Sequence, residues 1–251
     1  MKLDYRLLAF ALALAGMTQL AKATPVLVHE YDFNGNLLDS VGSTPIQNNN
    51  GGTVGAGVFS FGPNQGPTLA AESSLASSYS IGLEFKLNLN SDGTSVETSP
   101  NGWVSILNLS NLVYDSNNQY LFYGKPTFYN ISSGSGVIPN NTPVQMLLTW
   151  DGTNYKSYLN GSLQDSFSTP GAASAVVVSG NAIFQFFQDD HHTSTEATSG
   201  SVSQIRVWDG ALTGGAVASA FEPVPDGSTT AVLLGSALLG LAALRRRFSR
   251  A

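Results

Sequence analysis

Asp189-Asp190-His191-His192, with Glu196 four residues further on, is the densest polar constellation in the chain. Imidazole and carboxylate together ligate zinc and related transition ions, and carboxylates alone suit calcium. Successive residues of a strand face opposite sides, so Asp189 and His191 are the pair that can share an ion unless the segment is an irregular loop. A solvated loop after the apolar run 183–188 is the competing reading of the same residues. Tyr114, Tyr120, Tyr123 and Tyr129 form a second candidate set, interleaved with Asn117, Asn118, Gln119 and Asn130. Exposed rings can cover the apolar face of a pyranose while amides fix its hydroxyls, although aromatics in strands more often fill a core. No Ser-His-Asp array, glycine-rich phosphate loop or basic amphipathic helix is evident.

The elements that must position these residues read as β-structure nearly throughout. Tyr79, Ile81, Leu83, Phe85 and Leu87 alternate with Ser80, Gly82, Glu84 and Lys86, a period of two that puts one face in a core and the other in water. Val144, Met146, Leu148 and Trp150 make one face of another strand. Asp151-Gly152 then turns the chain, Tyr155–Leu159 returns, Asn160-Gly161 turns again, and Leu163–Phe167 completes a meander. Asp-Gly and Asn-Gly tolerate the positive φ of tight hairpin turns. Further strands are expected at Leu27–Phe33, Trp103–Leu109, Gln119–Tyr123, Ile183–Gln188 and Val202–Trp208, with one short helical turn near Ala216–Phe221. Segments rich in Asn, Gly, Ser and Thr, notably 48–57 and 91–102, read as loops. Short strands with turn chemistry between them, and no repeat of fixed period, predict two packed antiparallel sheets.

Charge and cysteine usage exclude several functions. Of the 17 carboxylates, all but Asp4 and Asp226 fall within 24–223, against only Lys86, Lys125, Lys156 and Arg206, which gives this stretch a formal charge of 4 minus 15, or −11. Such a surface repels phosphate backbones, so nucleic acid is excluded as a main partner. With no cysteine, disulfides, thiol nucleophiles and thiolate metal sites are excluded as well.

Both ends read as addresses rather than as parts of the fold. Lys2 and Arg6 precede an apolar stretch from Leu7 to Leu20, and Ala21-Lys22-Ala23 offers the small residues that signal peptidase needs, which predicts a signal helix and cleavage after Ala23. At the other end Val224-Pro225-Asp226-Gly227 is followed by an apolar run ending at Leu244 and then by Arg245-Arg246-Arg247. The run is apolar on every face and close to the minimum length for a membrane-crossing helix, about 17 residues. Arginines beside a span favour the cytoplasmic side, which places everything before Val224 across the membrane. The expected organisation is a signal peptide at 1–23, a globular domain at 24–223 and a sorting tail at 224–251.

This tail resembles the C-terminal sorting signals of the PEP-CTERM type, in the variant beginning Val-Pro-Asp-Ser-Gly. Val224, Pro225 and Asp226 match its motif, Gly227 stands where its Ser would be, and Arg245, Arg246 and Arg247 match its basic end. The resemblance implies processing by an exosortase, a mature end near Asp226, and membrane anchoring through the C-terminal helix that is at least transient.

Three segments in order resemble laminin-G-like, concanavalin A-like jelly rolls. They are Tyr31-Asp32-Phe33-Asn34-Gly35-Asn36-Leu37-Leu38-Asp39-Ser40, then Thr149-Trp150-Asp151-Gly152 with Tyr158-Leu159-Asn160-Gly161, and then Gly200–Trp208 followed by Ala211-Leu212. The resemblance implies an all-β two-sheet sandwich that often binds glycans and sometimes holds a structural calcium ion. Asp39 and Asp209, near the first and last strands, are the candidate calcium ligands on that basis. Some relatives hydrolyse β-glucans with a Glu-x-Asp-x-x-Glu strand. No such stretch occurs in this chain. The expectation is a secreted or surface-displayed, non-catalytic module for extracellular polysaccharide. The alternatives are an envelope or matrix component without a specific ligand and an unrecognised glycan hydrolase.

Overall fold

The computed structural model describes residues 24–90, 104–110, 119–125, 127–129, 138–168, 178, 182–188 and 197–222. The chain divides into a unit Met1–Ala220 and a second unit Phe221–Ala251, of which only Phe221 and Glu222 are described.

The first unit is built almost wholly from strands. They are β1 (Leu27–Tyr31), β2 (Thr53–Gly55), β3 (Val58–Phe61), β4 (Thr68–Ala70), β5 (Tyr79–Leu87), β6 (Val104–Ser110), β7 (Gln119–Lys125) and β8 (Thr127–Tyr129), followed by β9 (Val144–Trp150), β10 (Asn154–Leu159), β11 (Ser162–Ser168), β12 (Ile183–Phe186) and β13 (Gly200–Trp208). A 3-10 turn at Ser73–Ala76 and a one-turn helix α1 at Gly215–Ala218 are the helical elements among the described residues. An eight-stranded sheet runs β11-β10-β9-β5-β13-β3-β2, with β1 also paired to β13, and a five-stranded sheet runs β4-β12-β6-β7-β8. Every described pairing is antiparallel. The architecture is the all-β, two-sheet jelly-roll sandwich expected.

Strict alternation makes β5 the spine of the larger sheet. Tyr79, Ile81, Leu83, Phe85 and Leu87 are all buried, while Lys86 is exposed and Glu84 half-exposed. Aromatic rings join the sheets across the core. Phe187, just beyond β12, stacks on Phe61 of β3 with centroids 4.4 Å apart and meets Phe85 of β5 at 5.2 Å. Tyr79 meets Phe184 edge-on at 5.7 Å. Each fully buried ring contributes about 1.5–3 kcal/mol of apolar burial, so this seam is a principal fastener of the sandwich.

The predicted meander is present as β9-β10-β11. Asp151 caps its first turn by accepting the backbone N–H groups of Thr153 at 2.9 Å and Asn154 at 2.6 Å. Asn160 and Gly161, with φ of 49° and 77°, form the second. The segment 48–57, expected as a loop, is corrected: it contains β2, which pairs with β3 as Val54↔Phe59 through a two-residue turn at Ala56-Gly57. Ala56 takes a φ of 52° there, a conformation that its side chain does not advertise in sequence.

Candidate functional site

Asp39, a candidate calcium ligand in the sequence, lies in a knot beside the first strand. Its Oδ1 accepts the backbone N–H of Glu30 at 3.0 Å, of Val41 at 3.1 Å and of Gly42 at 2.9 Å, and its Oδ2 is 2.6 Å from His29 Nδ1. The side chains of both His29 and Asp39 are almost fully buried, at 2% and 1% exposure. Burial alone would raise the Asp39 carboxyl, but the hydrogen bonds from His29, Glu30, Gly42 and Val41 outweigh it and hold the group below its ordinary value. With both oxygens engaged in this way, Asp39 does not fit as a calcium ligand. Tyr31 closes the knot. Its ring stacks on His29, its hydroxyl donates to the Thr44 carbonyl at 2.6 Å, and burial, with Asp39 and Glu72 nearby, pushes its phenol well up.

Asp209, the other calcium candidate, follows β13. Its Oδ1 accepts the Val26 backbone N–H at 2.7 Å, and its own N–H donates to the Val26 carbonyl at 3.0 Å. The two carboxylates thus fasten the chain at different points, Asp39 at His29 and Glu30 within β1 and Asp209 at Val26 just before it. Asp209 borders a cleft of about 440 Å³ together with Thr24, Pro25, Ser78 and Ala216. Among the described residues, no three His, Asp or Glu side chains converge to hold a metal.

A second depression, of about 310 Å³, opens on the outer face of the eight-stranded sheet. Its register explains it. Ser201 of β13 lies opposite Ser60 of β3 on one side and Lys86 of β5 on the other, so three outward side chains form one row across three strands. With neighbouring strands about 4.8 Å apart, that row spans roughly 10 Å. Asn88, Asn141 and Ser199 complete the polar rim, with Asn88 Nδ2 donating to Ser199 Oγ at 2.6 Å, and none of the described lining residues is a carboxylate. Nothing local in the sequence marks these residues as a site. Their outward placement at alternate positions was legible, but the row exists only through the pairing of strands far apart in sequence.

Three carboxylates on or beside the same sheet are engaged elsewhere. Glu30 and Asp32 stand two residues apart, a spacing that catalytic acids on one strand share, yet Glu30 Oε1 accepts Arg206 Nε at 2.8 Å and Asp32 Oδ2 accepts Asn34 Nδ2 at 2.8 Å. Glu84 is held by Gln145 Nε2 at 3.0 Å and by Ser203 Oγ at 3.0 Å. Asp189, His191 and Tyr114 lie outside the described residues, as do the cleavage residues Ala21 and Ala23 and the tail residues Val224, Pro225, Asp226, Gly227, Arg245, Arg246 and Arg247. Tyr120 and Tyr123 fall on β7 and Tyr129 on β8, in register as Tyr123↔Tyr129 and Asn108↔Tyr120. Among the described residues no helix is long and apolar enough to cross a membrane, and the span expected before Arg245 lies outside them.

Residues 61–218 match the laminin G family described as the concanavalin A-like lectin/glucanases superfamily. The chain belongs to that superfamily. Residues 223–248 match the VPDSG-CTERM motif, which supports export to the cell surface. No curated protein matches the sequence significantly. Among solved structures, Trypanosoma rangeli sialidase superposes with a TM-score of 0.57 at 10% identity, over 76% of this chain and 32% of that one. The binding domain of botulinum neurotoxin serotype G gives 0.54 at 17% identity, over 77% of this chain and 50% of that one. This chain thus spans about a third of the sialidase and half of the toxin domain, and at these identities the likeness shows the fold. As a member of this superfamily the chain carries a carbohydrate-binding type of fold on an exported protein.

Proposed function

We propose that the exported protein is a non-catalytic module for extracellular polysaccharide, released or displayed at the surface after signal peptidase and exosortase processing, and that the depression around Lys86, Asn88 and Ser201 is its sugar-facing site. The carrying observation is the lining of that depression. Serine hydroxyls, asparagine amides and a lysine can hydrogen-bond to sugar hydroxyls, and none of the described lining residues is a carboxylate of the kind that glycoside hydrolysis pairs. The engaged states of Glu30, Asp32 and Glu84 support the same reading. Tyr120, Tyr123 and Tyr129 extend the proposal to the five-stranded sheet as stacking residues.

Affinity electrophoresis through gels containing neutral and acidic polysaccharides tests it. The wild-type protein is expected to be retarded by at least one polymer, and Asn88→Ala combined with Ser201→Trp to run free of that retardation while melting at the same temperature. Wild-type mobility unchanged by every polymer, or equal retardation of the variant, would sink the assignment of the site. Release of reducing sugar would overturn the non-catalytic reading.

A further inference from the structure

Two buried side-chain nitrogens among the described residues lack a hydrogen-bond partner, Trp150 Nε1 and His29 Nε2. An indole N–H can only donate. An imidazole nitrogen is also a Lewis base, and Asp39 at Nδ1 favours the tautomer that leaves Nε2 with a free lone pair. Facing it, 3.6 Å away, is Glu72 Oε1, too far for a hydrogen bond. Two donors bound tetrahedrally to zinc, each about 2.0–2.1 Å from it, stand about 3.3–3.5 Å apart, so a small swing of the half-exposed Glu72 brings this pair to ligand spacing.

We propose that His29 Nε2 and Glu72 Oε1 hold a divalent transition ion of the zinc class, clasping the two sheets together at their edge. His29 belongs to β1 of the eight-stranded sheet, and Glu72 follows β4 of the five-stranded sheet. The surroundings have the form of an outer coordination shell. Asp39 fixes the ring at Nδ1, as carboxylates do behind metal-bound histidines, and is itself fixed by three backbone N–H groups. Thr44 Oγ1 donates to Glu72 Oε1 at 3.0 Å and orients that carboxylate. The imidazole donor selects zinc, cobalt or nickel over calcium, which takes oxygen ligands. Two negative charges, on Asp39 and Glu72, balance the ion. With only two protein ligands, a neutral imidazole and one carboxylate, and the rest water, the ion exchanges and a chelator removes it.

The test uses the full-length protein in a His191→Ala, His192→Ala background, which leaves His29 as the only remaining imidazole, since the chain has 3 histidines. After chelator treatment, Zn2+ is titrated by calorimetry and Co2+ by visible absorption. Expected are one equivalent of Zn2+, a rise in Tm with Zn2+ but not with Ca2+, and cobalt bands that Glu72→Gln weakens at least tenfold in affinity. Glu72 is half-exposed, so Glu72→Gln is expected to keep the metal-free Tm; His29→Gln serves as a second variant where it folds. The proposal is overturned if no saturable binding occurs, if Glu72→Gln binds as the parent does, or if Ca2+ gives an equal rise.

Discussion

Arg206 and Glu30 face each other across the β13–β1 pair, with Nε 2.8 Å and Nη2 2.7 Å from the same carboxylate oxygen, while Nη1 donates to the Ala220 carbonyl at 2.7 Å. One guanidinium thereby ties together the first strand, the last strand and the turn after α1. At 4% side-chain exposure it is largely removed from water, where a carboxylate partner counts for more than at the surface. Glu30→Ala removes a charged hydrogen-bond partner of the guanidinium and is expected to cost about 1.5–3 kcal/mol, read as a lower urea midpoint at an unchanged m-value. A change below about 0.5 kcal/mol would mean that water or another partner compensates the guanidinium and that the Glu30 contact contributes little.

Gly42 is a tighter constraint. A Cβ built there would stand 2.5 Å from Asp39 Oδ2, 2.6 Å from the Val28 carbonyl and 3.0 Å from His29 Nδ1. Two of those atoms belong to the knot and the third to backbone, so neither side can yield cheaply. Gly42→Ala is expected to destabilise by about 2 kcal/mol in chemical denaturation, and a neutral outcome would show that the loop slides past β1.

Asp39 also predicts an acid limb. Hydrogen bonds hold its folded carboxyl below the unfolded value of about 3.9, so the folded state favours the anion. The stability it contributes is complete above that unfolded value and is lost as pH falls through the lower folded value. Asp39→Asn, which has no carboxyl to protonate, should be less stable than the wild type at pH 7, with the gap narrowing toward about pH 2. Urea midpoints measured at both ends of that range decide it; a constant gap would contradict the sign.

The alternation of β5 and the Asp-Gly and Asn-Gly turns made the spine and the meander legible, because in both the side-chain pattern is local. Leu27 and Trp208 were placed in strands, but their pairing depends on a separation that no local pattern carries. The β2–β3 hairpin escaped because Ala56 occupies a left-handed position that Asn or Gly would have signalled. The candidate site was less legible still. Asp39 reads in sequence as a candidate calcium ligand, whereas its partner His29 reaches it only because the chain folds back over ten residues. The row Ser60–Ser201–Lys86 is a product of register alone.

Asn160 offers a test of one locally legible feature. Its φ of 49° suits the turn, and its Oδ1 accepts the Gln145 backbone N–H at 2.9 Å. Asn160→Ala loses both the tolerance of that conformation and the hydrogen bond, for an expected cost of about 2 kcal/mol, whereas Asn160→Gly loses only the bond and should cost about half as much. Equal losses in thermal melts would show that the turn contributes through its hydrogen bond alone.

Both ends of the chain make a joint prediction that intact mass can check. A small-residue site at Ala21 and Ala23 after an apolar stretch calls for cleavage before Thr24, and the VPDSG-CTERM match at 223–248 calls for a second cut near Asp226. Protein recovered from the surface or medium should therefore have the mass of a chain from Thr24 to about Asp226. Replacing Arg245, Arg246 and Arg247 together by Ala removes the charges expected to hold the tail's end on the cytoplasmic side. That variant should accumulate in the membrane fraction with its N-terminal cut made and its C-terminal mass intact. If it were processed like the wild type, the arginines would have no part in presenting the tail, and sorting would rest on Val224, Pro225 and Asp226 alone.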